Sequence, residues 1–237
     1  MDIGTNAEVA LVESGGISAC SCAAGPAFEG GGIRQGMRGM EGAISRVGLA
    51  RKQIEIDVIG GGEARGITGS GLISLAAELL RTGALDRFGM IQPDRLAPGN
   101  IVEDNQGRRL RLTSRVSVSE DDIQQLMLAK AAARAGSEVL LSKSSLQPQE
   151  LTGVILSGTF ANSLCAEDVL AVGLIPPVKP DIIYSKGNTA AEGACMMACS
   201  RMAFDEAIAL AKRTHHIRLS GDSDFNRIFQ ENVSFEK

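Results

Sequence analysis

An Asp-x-Gly-Thr turn at residues 2–5, followed directly by a strand pattern at residues 8–12, is the feature that most constrains this chain. A glycine in such a turn lets backbone N–H groups approach an anion closely, and a neighbouring carboxylate can hold a magnesium ion through water. The pattern therefore predicts a β-hairpin of the nucleotide-binding kind. Only Met1 stands before the turn, so we expect the chain to be one part of a larger protein.

The composition excludes several classes of protein. Hydrophobic residues make up 44% and charged residues 22% of the 237 residues, which argues against a disordered or a membrane protein. No apolar run approaches the roughly 18 residues of a membrane span, and no signal peptide is recognisable. A net charge of −4 and an aromatic content of 3% argue against nucleic-acid binding. We expect a cytoplasmic protein without a membrane or nucleic-acid partner.

The five cysteines do not indicate a disulfide framework, because their number is odd and nothing points to an oxidising compartment. Their spacing lacks the Cys-x2-Cys pattern of common zinc and iron–sulfur sites. Cys195 and Cys199 lie one helical turn apart in an apolar run, and we expect both to pack inside a helical layer. The prediction is no metal site in this chain, with ligation by cysteine as the weaker alternative.

The pattern of apolar residues predicts an α/β protein. Ser119 and the acids after it predict a helix start, and that helix should run to about Ser142. Strands alternate with helices in the second half, which favours a parallel sheet in one compact domain over residues 1–237. The other predictions are strands at 54–59, 154–156 and 181–184, a glycine-rich loop at 66–71, helices at 72–80, 165–171, 190–201, 204–212 and 225–231, and an irregular segment at 84–118 with a hairpin near 105–107.

A glycine follows the predicted strand at 154–156, in the sequence Gly-Thr-Phe-Ala at residues 158–161. Open α/β sheets bind ligands at the carboxyl ends of their strands, and a small residue there lets a base or ribose lie on the backbone. The alternative reading is a simple tight turn.

These elements together resemble the C-terminal lobe of the actin-like ATPases, the superfamily of actin, hexokinase and the heat-shock ATPases. The resemblance is closer to one family within it. Ala-Gly-Pro-Ala-Phe-Glu-Gly at residues 24–30 resembles the signature of the ATP-dependent reductive activators of corrinoid proteins. Segments 36–40, 66–73 and 225–229 are similar to further motifs of that family, so the resemblance runs from residue 2 to nearly the end of the chain.

The resemblance implies an α/β fold, an actin-like (ribonuclease H-like) ATPase lobe with a mixed sheet and flanking helices. It also implies that ATP or ADP binds with Mg²⁺, and it indicates which residues form the nucleotide site. The expected ATP-binding residues are Asp2, Gly4, Thr5, Asn6, Gln125, Lys130, Gly158, Thr159 and Phe160, with Glu29, Gly69 and Ser70 as further candidates.

The resemblance also implies a reaction and its partners. Such activators use ATP to return a cobalt(II) corrinoid protein to cobalt(I) for methyl transfer, with an electron from an iron–sulfur cluster on an N-terminal ferredoxin-like domain. We expect that domain and the first ATPase lobe to lie outside this chain, in the same protein or in a companion chain. The expected partners are the corrinoid protein and these missing parts, with a homodimer left open. The isolated chain should therefore be inactive.

Several alternatives stay open. Thr159 and Ala161 stand where the family usually reads glycine, which favours a non-catalytic interaction module with the same fold. An activator of the 2-hydroxyacyl-CoA dehydratase type is a third reading. Glu29 is compatible with magnesium ligation, loop capping or partner contact, and Lys130 with a nucleotide contact or a solvated helix face.

Overall fold

The computed structural model describes residues 1–105, 107–158 and 161–236. The strands within these ranges are β1 (Asp2–Ile3), β2 (Asn6–Glu13), β3 (Gly16–Ala23), β4 (Ala43–Ala50), β5 (Gln53–Val58), β6 (Gly66–Ile67), β7 (Ile101–Asp104), β8 (Gly107–Arg111), β9 (Ser117–Ser119), β10 (Val154–Leu156), β11 (Ile183–Ser185) and β12 (Thr214–His216). The α-helices are α1 (Gly69–Arg81), α2 (Glu120–Lys143), α3 (Ala166–Ala171), α4 (Thr189–Cys199), α5 (Arg201–Arg213) and α6 (Ser223–Glu231).

A mixed sheet forms the centre of the molecule. Strands β1, β2 and β3 pair antiparallel in chain order, and β12 lies parallel to β3. On the other side of β1, the Ile3 amide donates to the Ser157 carbonyl at 2.9 Å and the Ser157 amide donates to the Met1 carbonyl at 2.7 Å. Because β10 also pairs parallel with β11, the strands lie in the order β11-β10-β1-β2-β3-β12. The predicted hairpin and the mixed sheet with flanking helices are confirmed.

The long helix α2 begins at Ser119, as the sequence predicts. The Ser119 hydroxyl accepts from the Asp122 amide at 3.1 Å, and the Asp122 carboxylate accepts from the Ser119 amide at 2.8 Å. This reciprocal capping box satisfies two backbone donors that a helix start leaves without partners. One face of α2 packs across β2 and β3, and the helix also contacts α6.

Two smaller sheets are separate from the central one: β5-β4-β6, against which α1 packs, and the antiparallel sheet β7-β8-β9. The predicted strand at 54–59 and the hairpin near 105–107 are confirmed, whereas residues 117–119 add a strand to the segment expected to be irregular. The loop prediction for residues 69–71 was wrong. These residues form the first turn of α1, because the Thr68 hydroxyl accepts from the Gly71 amide at 3.0 Å and caps the helix there.

Three predictions for the second half need correction. The helix expected at 190–201 is interrupted at Ser200, whose extended backbone ends α4 and whose hydroxyl caps α5 through the Ala203 amide at 3.2 Å. The expectation that Cys195 and Cys199 pack inside a layer was wrong, since both are exposed and α4 contains no buried residue. The strand expected at 181–184 starts only at Ile183, because Pro180–Ile182 forms a 3₁₀ turn.

No helix in the described parts of the chain combines the length and the apolar character that crossing a membrane requires.

Candidate functional site

The turn at residues 2–6 and the turn at Gly158 meet at one edge of the central sheet. Strands β1 and β10 run parallel and side by side, so their carboxyl ends lie together. Gly158 has a φ of +118°, and a Cβ added there would lie 2.5 Å from the Ile3 carbonyl oxygen and 3.1 Å from Asp2 Oδ1. Only glycine permits this close approach of the two turns.

Glu29 joins the same edge through its side chain. Its Oε1 accepts from the Thr5 backbone amide at 2.9 Å and from the Thr5 hydroxyl at 3.0 Å. The short 3₁₀ helix Pro26–Glu29 places it there, with Phe28 buried beneath. The sequence leaves three roles open for Glu29. Its bonds to Thr5 correspond to one of them, the capping of a loop, here the turn at residues 2–6.

A cavity of about 560 Å³ lies next to Glu29 and is also lined by Gly69 and Ser70 from the first turn of α1. Helix α1 packs tightly against the Glu29 turn. The absence of a side chain at Gly69 permits this, since a Cβ there would lie 1.9 Å from the Phe28 carbonyl oxygen. The three further candidates are thus brought together. Arg38 and Ser163 line the same cavity and were missed as site residues, although Arg38 lies in the motif at 36–40 and Ser163 follows the Gly158 turn.

A second cavity, of about 510 Å³, is lined mainly by apolar side chains of β2, α2 and the segment around β10. Residues 2–6 do not line this cavity, although Met1, which precedes them, does. We therefore assign no role in the candidate site to it.

The remaining predicted residues are distributed as follows. Asn6 is exposed at the start of β2, and the Thr5 carbonyl accepts from the Gly25 amide at 2.9 Å, which ties the turn to the segment before Pro26–Glu29. Gln125 is exposed on α2, with its amide oxygen 4.0 Å from where a Cβ on Gly32 would lie. Thr159 and Phe160 lie outside the described residues.

Lys130 is fully buried, so its interpretation as part of a solvated helix face was wrong. Its Nζ donates to the Ser234 carbonyl at 2.7 Å and lies 5.3 Å from the centre of the Phe235 ring. Burial, together with the nearby Arg134 guanidinium, lowers the pKa of Lys130 to about 8. The contacts described for this amine lie at the residues after α6 and not at the turn of residues 2–6.

Gly187 adds a third glycine turn after β11, and it was not predicted as a site residue. The Gly158 amide donates to the Gly187 carbonyl at 3.4 Å, and a Cβ on Gly187 would lie 3.1 Å from Asn162 Nδ2. Asn188 then caps α4 through the Ala191 amide at 2.9 Å. The turns after β1, β10 and β11 are therefore contiguous.

Two carboxylates, those of Asp2 and Glu29, lie at this edge of the sheet. In the described part of the chain, no group of three or more His, Cys, Asp and Glu side chains is placed to hold a metal ion. The Asp2 carboxylate lies beside Gly158, with its Oδ1 3.1 Å from where a Cβ on that glycine would be. Carboxylate oxygens are ligands that magnesium accepts in proteins, usually together with water and phosphate oxygens.

The family model described as "C-terminal domain of RACo the ASKHA domain" matches residues 1–237. Among curated proteins, the chain is 29% identical over 249 aligned positions to "Corrinoid activation enzyme RamQ" of Eubacterium limosum, with 99% of this chain and 42% of the relative covered. It is 29% identical over 258 positions to "[Co(II) methylated amine-specific corrinoid protein] reductase" of Methanosarcina barkeri, with 99% and 45% covered.

A solved structure, "Reductive activator for corrinoid,iron-sulfur protein", superposes with a TM-score of 0.92 at 34% identity. The match covers 99% of this chain and 39% of that chain. The chain thus spans less than half the length of each of these relatives.

Proposed function

The chain belongs to the family of C-terminal ASKHA domains of RACo, and from this we propose that it forms one wall of the ATP site in an ATP-dependent reductive activator of corrinoid proteins. The complete activator would return cobalt(II) corrinoid proteins to cobalt(I), the nucleophile that methyl transfer needs. The actin-like fold of the chain is shown by the family match and by the structural superposition. The nucleotide, the reaction and the partners are proposals.

One observation carries the proposal. The turn at residues 2–5 and the Gly158 turn, more than 150 residues apart in sequence, lie in contact at the carboxyl ends of two parallel strands. The glycine at 158 permits this contact, because a Cβ there would lie 2.5 Å from the Ile3 carbonyl oxygen. This is the place where an open α/β sheet binds a nucleotide.

The residues of this edge would divide the binding between them. The Thr5 amide and hydroxyl are donors for a phosphate oxygen, and Gly4 lets the phosphate approach the backbone. Asp2 would hold the water shell of Mg²⁺, and the backbone at Gly158, with Thr159 and Phe160 after it, would lie against the adenosine. When bound, ATP would supply the terminal phosphoanhydride bond, and hydrolysis of that bond would provide the free energy for the reduction in the complete activator. Lys130 is left out of this set because its amine is held by Ser234.

The partners follow from the relatives. The names of two relatives refer to corrinoid proteins as what they act on, and we propose a corrinoid protein as the partner here. The opposite wall of the ATP site and the iron–sulfur electron donor would come from residues outside this chain, and the complex would work in the cytoplasm.

Isothermal titration with ADP and ATP, with and without magnesium, tests the nucleotide site. We expect the protein to bind both nucleotides, and we expect Gly158→Ala to weaken binding about tenfold or more, since a side chain there would push Asp2 and Ile3 away. Gly193→Ala is the matched control because a Cβ at that helical position meets only open space. Equal affinity of the two variants, or no nucleotide binding by the wild type, would contradict the proposal.

A reduction assay tests the division of the site between this chain and the parts outside it. Residues 1–237, mixed with a corrinoid protein, a titanium(III) reductant and ATP, should show no ATP-stimulated formation of cobalt(I). ATP-stimulated turnover by these residues alone would refute the placement of the second wall elsewhere. Binding of the corrinoid protein without any effect of nucleotide would favour the interaction module instead.

A further inference from the structure

Glu29 holds the two side-by-side donors of the turn at residues 2–6. Its Oε1 accepts both from the Thr5 amide at 2.9 Å and from the Thr5 hydroxyl at 3.0 Å. The same oxygen lies 3.2 Å from where a Cβ on Gly4 would be, so it sits directly over the glycine of the turn. The carboxylate therefore occupies the place where an anion would meet the turn.

A carboxylate oxygen and a phosphate oxygen are alike as acceptors of charge-assisted hydrogen bonds. Both are negatively charged, so they repel each other at close range, and the Thr5 amide hydrogen cannot serve both fully. If the turn binds phosphate, as proposed above, the phosphate and Glu29 compete for the same donors.

The backbone around Glu29 is fixed, which means that the side chain alone must move. Phe28 is buried, and Gly30 takes a left-handed conformation with its amide bonded to the Ala27 carbonyl at 3.0 Å. A Cβ on Gly30 would lie 2.7 Å from the Met37 amide nitrogen, so the turn is also packed against the following segment. The Glu29 side chain is half-buried and borders the cavity of about 560 Å³, so a displaced carboxylate would turn into this cavity.

We propose that Glu29 is a specificity-determining residue that occupies the phosphate donors in place of the nucleotide and must be displaced by it. This inference rests on the nucleotide site of the proposed function. Glu29 opposes every ligand whose phosphate reaches Thr5, which includes ADP and ATP. It does not oppose adenosine, which carries no phosphate and would lie at the Gly158 side of the edge. Glu29 thereby lowers the affinity of the resting protein for ATP and ADP without altering the nucleoside part of the site.

The test compares the affinities of adenosine, ADP and ATP, with and without magnesium, for the wild type and for Glu29→Ala and Glu29→Gln. Glu29→Ala should bind ADP and ATP about tenfold more tightly, since the competing carboxylate is gone. Adenosine should bind all three proteins within about twofold. Glu29→Gln keeps an acceptor for Thr5 but not the charge, so it should shift ADP and ATP affinity in the same direction by less.

Glu8→Gln is the matched control, because Glu8 is an exposed carboxylate of β2 that bonds only to the Ser21 hydroxyl among the described residues. It should leave all affinities at the wild-type values. Thermal unfolding of each variant reports whether the turn keeps its structure, and where Glu29→Ala proves unstable the comparison rests on Glu29→Gln.

Each other outcome overturns the inference in a distinguishable way. Weaker binding of Mg-ATP by both Glu29 variants would show that Glu29 assists the metal and does not compete. If the variants bind ADP and ATP with unchanged affinity, or if their affinity for adenosine rises as much as that for ADP and ATP, Glu29 does not compete with phosphate. The proposed nucleotide site would not be affected by either result. No binding of any of these ligands by wild type and variants would refute the proposed function and this inference together.

Discussion

Lys130 carries an ammonium group from α2 into the interior, where it meets the carbonyl of Ser234 and the face of Phe235. Burial disfavours the charged form, and the Arg134 guanidinium adds repulsion, while the carboxylates of Glu236 and Glu138 act in the opposite direction. The net effect is a pKa of about 8 in the folded protein, against an ordinary value of 10.5. Because the pKa of Lys130 differs between the folded and the unfolded protein, the free energy of unfolding depends on pH.

The sign of this linkage follows from proton binding. Between about pH 8 and pH 10.5 the unfolded chain holds the Lys130 proton that the folded protein has released, so the free energy of unfolding should rise with pH in this window. The contribution should be fully present above pH 10.5 and lost as the pH falls through 8. Lys130→Met should remove this term, which amounts to at most about 1.4 kcal/mol per pH unit.

Urea unfolding at several pH values from 7.5 to 10 measures the slope for the wild type and for Lys130→Met. The difference between the two proteins isolates Lys130 from the other groups that titrate in this range. Lys212→Met, at an exposed position of α5, is the control and should keep the wild-type slope. Parallel curves for wild type and Lys130→Met would show that Lys130 does not carry the effect.

Among the elements, α2 depends on a glycine for its contact with the central sheet. Gly136 faces Cys20 and Cys22 of β3, and the Cys20 thiol donates to the Gly136 carbonyl at 3.6 Å. A Cβ at this position would lie 2.1 Å from the Cys22 sulfur and 3.4 Å from the Cys20 sulfur. Helix and sheet can therefore lie this close only where the helix lacks a side chain.

Gly136→Ala should destabilise the protein by about 1–3 kcal/mol, because the added methyl group forces α2 away from β3 and this exceeds the gain in helix propensity. The same substitution at Gly193 of α4, which meets open space, should be neutral or should stabilise by up to about 1 kcal/mol. Urea unfolding of both variants measures the difference. A Gly136→Ala protein as stable as Gly193→Ala would contradict the packing of α2 on β3.

Over the whole molecule, the five thiols divide between the core and the outside. Cys20 and Cys22 are buried between the central sheet and α2, Cys165 is half-buried at the start of α3, and Cys195 and Cys199 are exposed on α4. The adjoining Cys20 thiol and burial raise the pKa of Cys22, and partial burial with the Glu167 carboxylate raises the pKa of Cys165. Both effects reduce the thiolate, which is the reactive form.

Alkylation by iodoacetamide at pH 8 should therefore label Cys195 and Cys199 first, Cys165 more slowly, and Cys20 and Cys22 only after unfolding. Mass spectrometry of peptides at a series of times gives the order, and the same reaction in urea, where all five should react, is the control. Rapid labelling of Cys20 or Cys22 in the folded protein would contradict their burial against α2.

The local elements could be predicted from the sequence because their causes lie within about ten residues. Neighbouring residues determine three such features. They are the capping box at Ser119, the alternation of apolar and polar residues that ends at Val58, and the hairpin that follows Asp2. The mixed sheet followed from the order of these elements together with the family resemblance.

Contacts between distant residues were decided only by the tertiary structure. The family resemblance predicted that Asp2 and Gly158 serve one site, but their contact, the bonds of Thr5 to Glu29 and the placement of Lys130 at Ser234 depend on how strands and helices pack. The apolar run of α4 predicted burial and was misleading, because a helix is buried only where other elements cover its apolar face, and no residue of α4 is buried in the described part of the chain. Local pattern determines which elements form, and packing over long sequence distances determines which side chains they bring together.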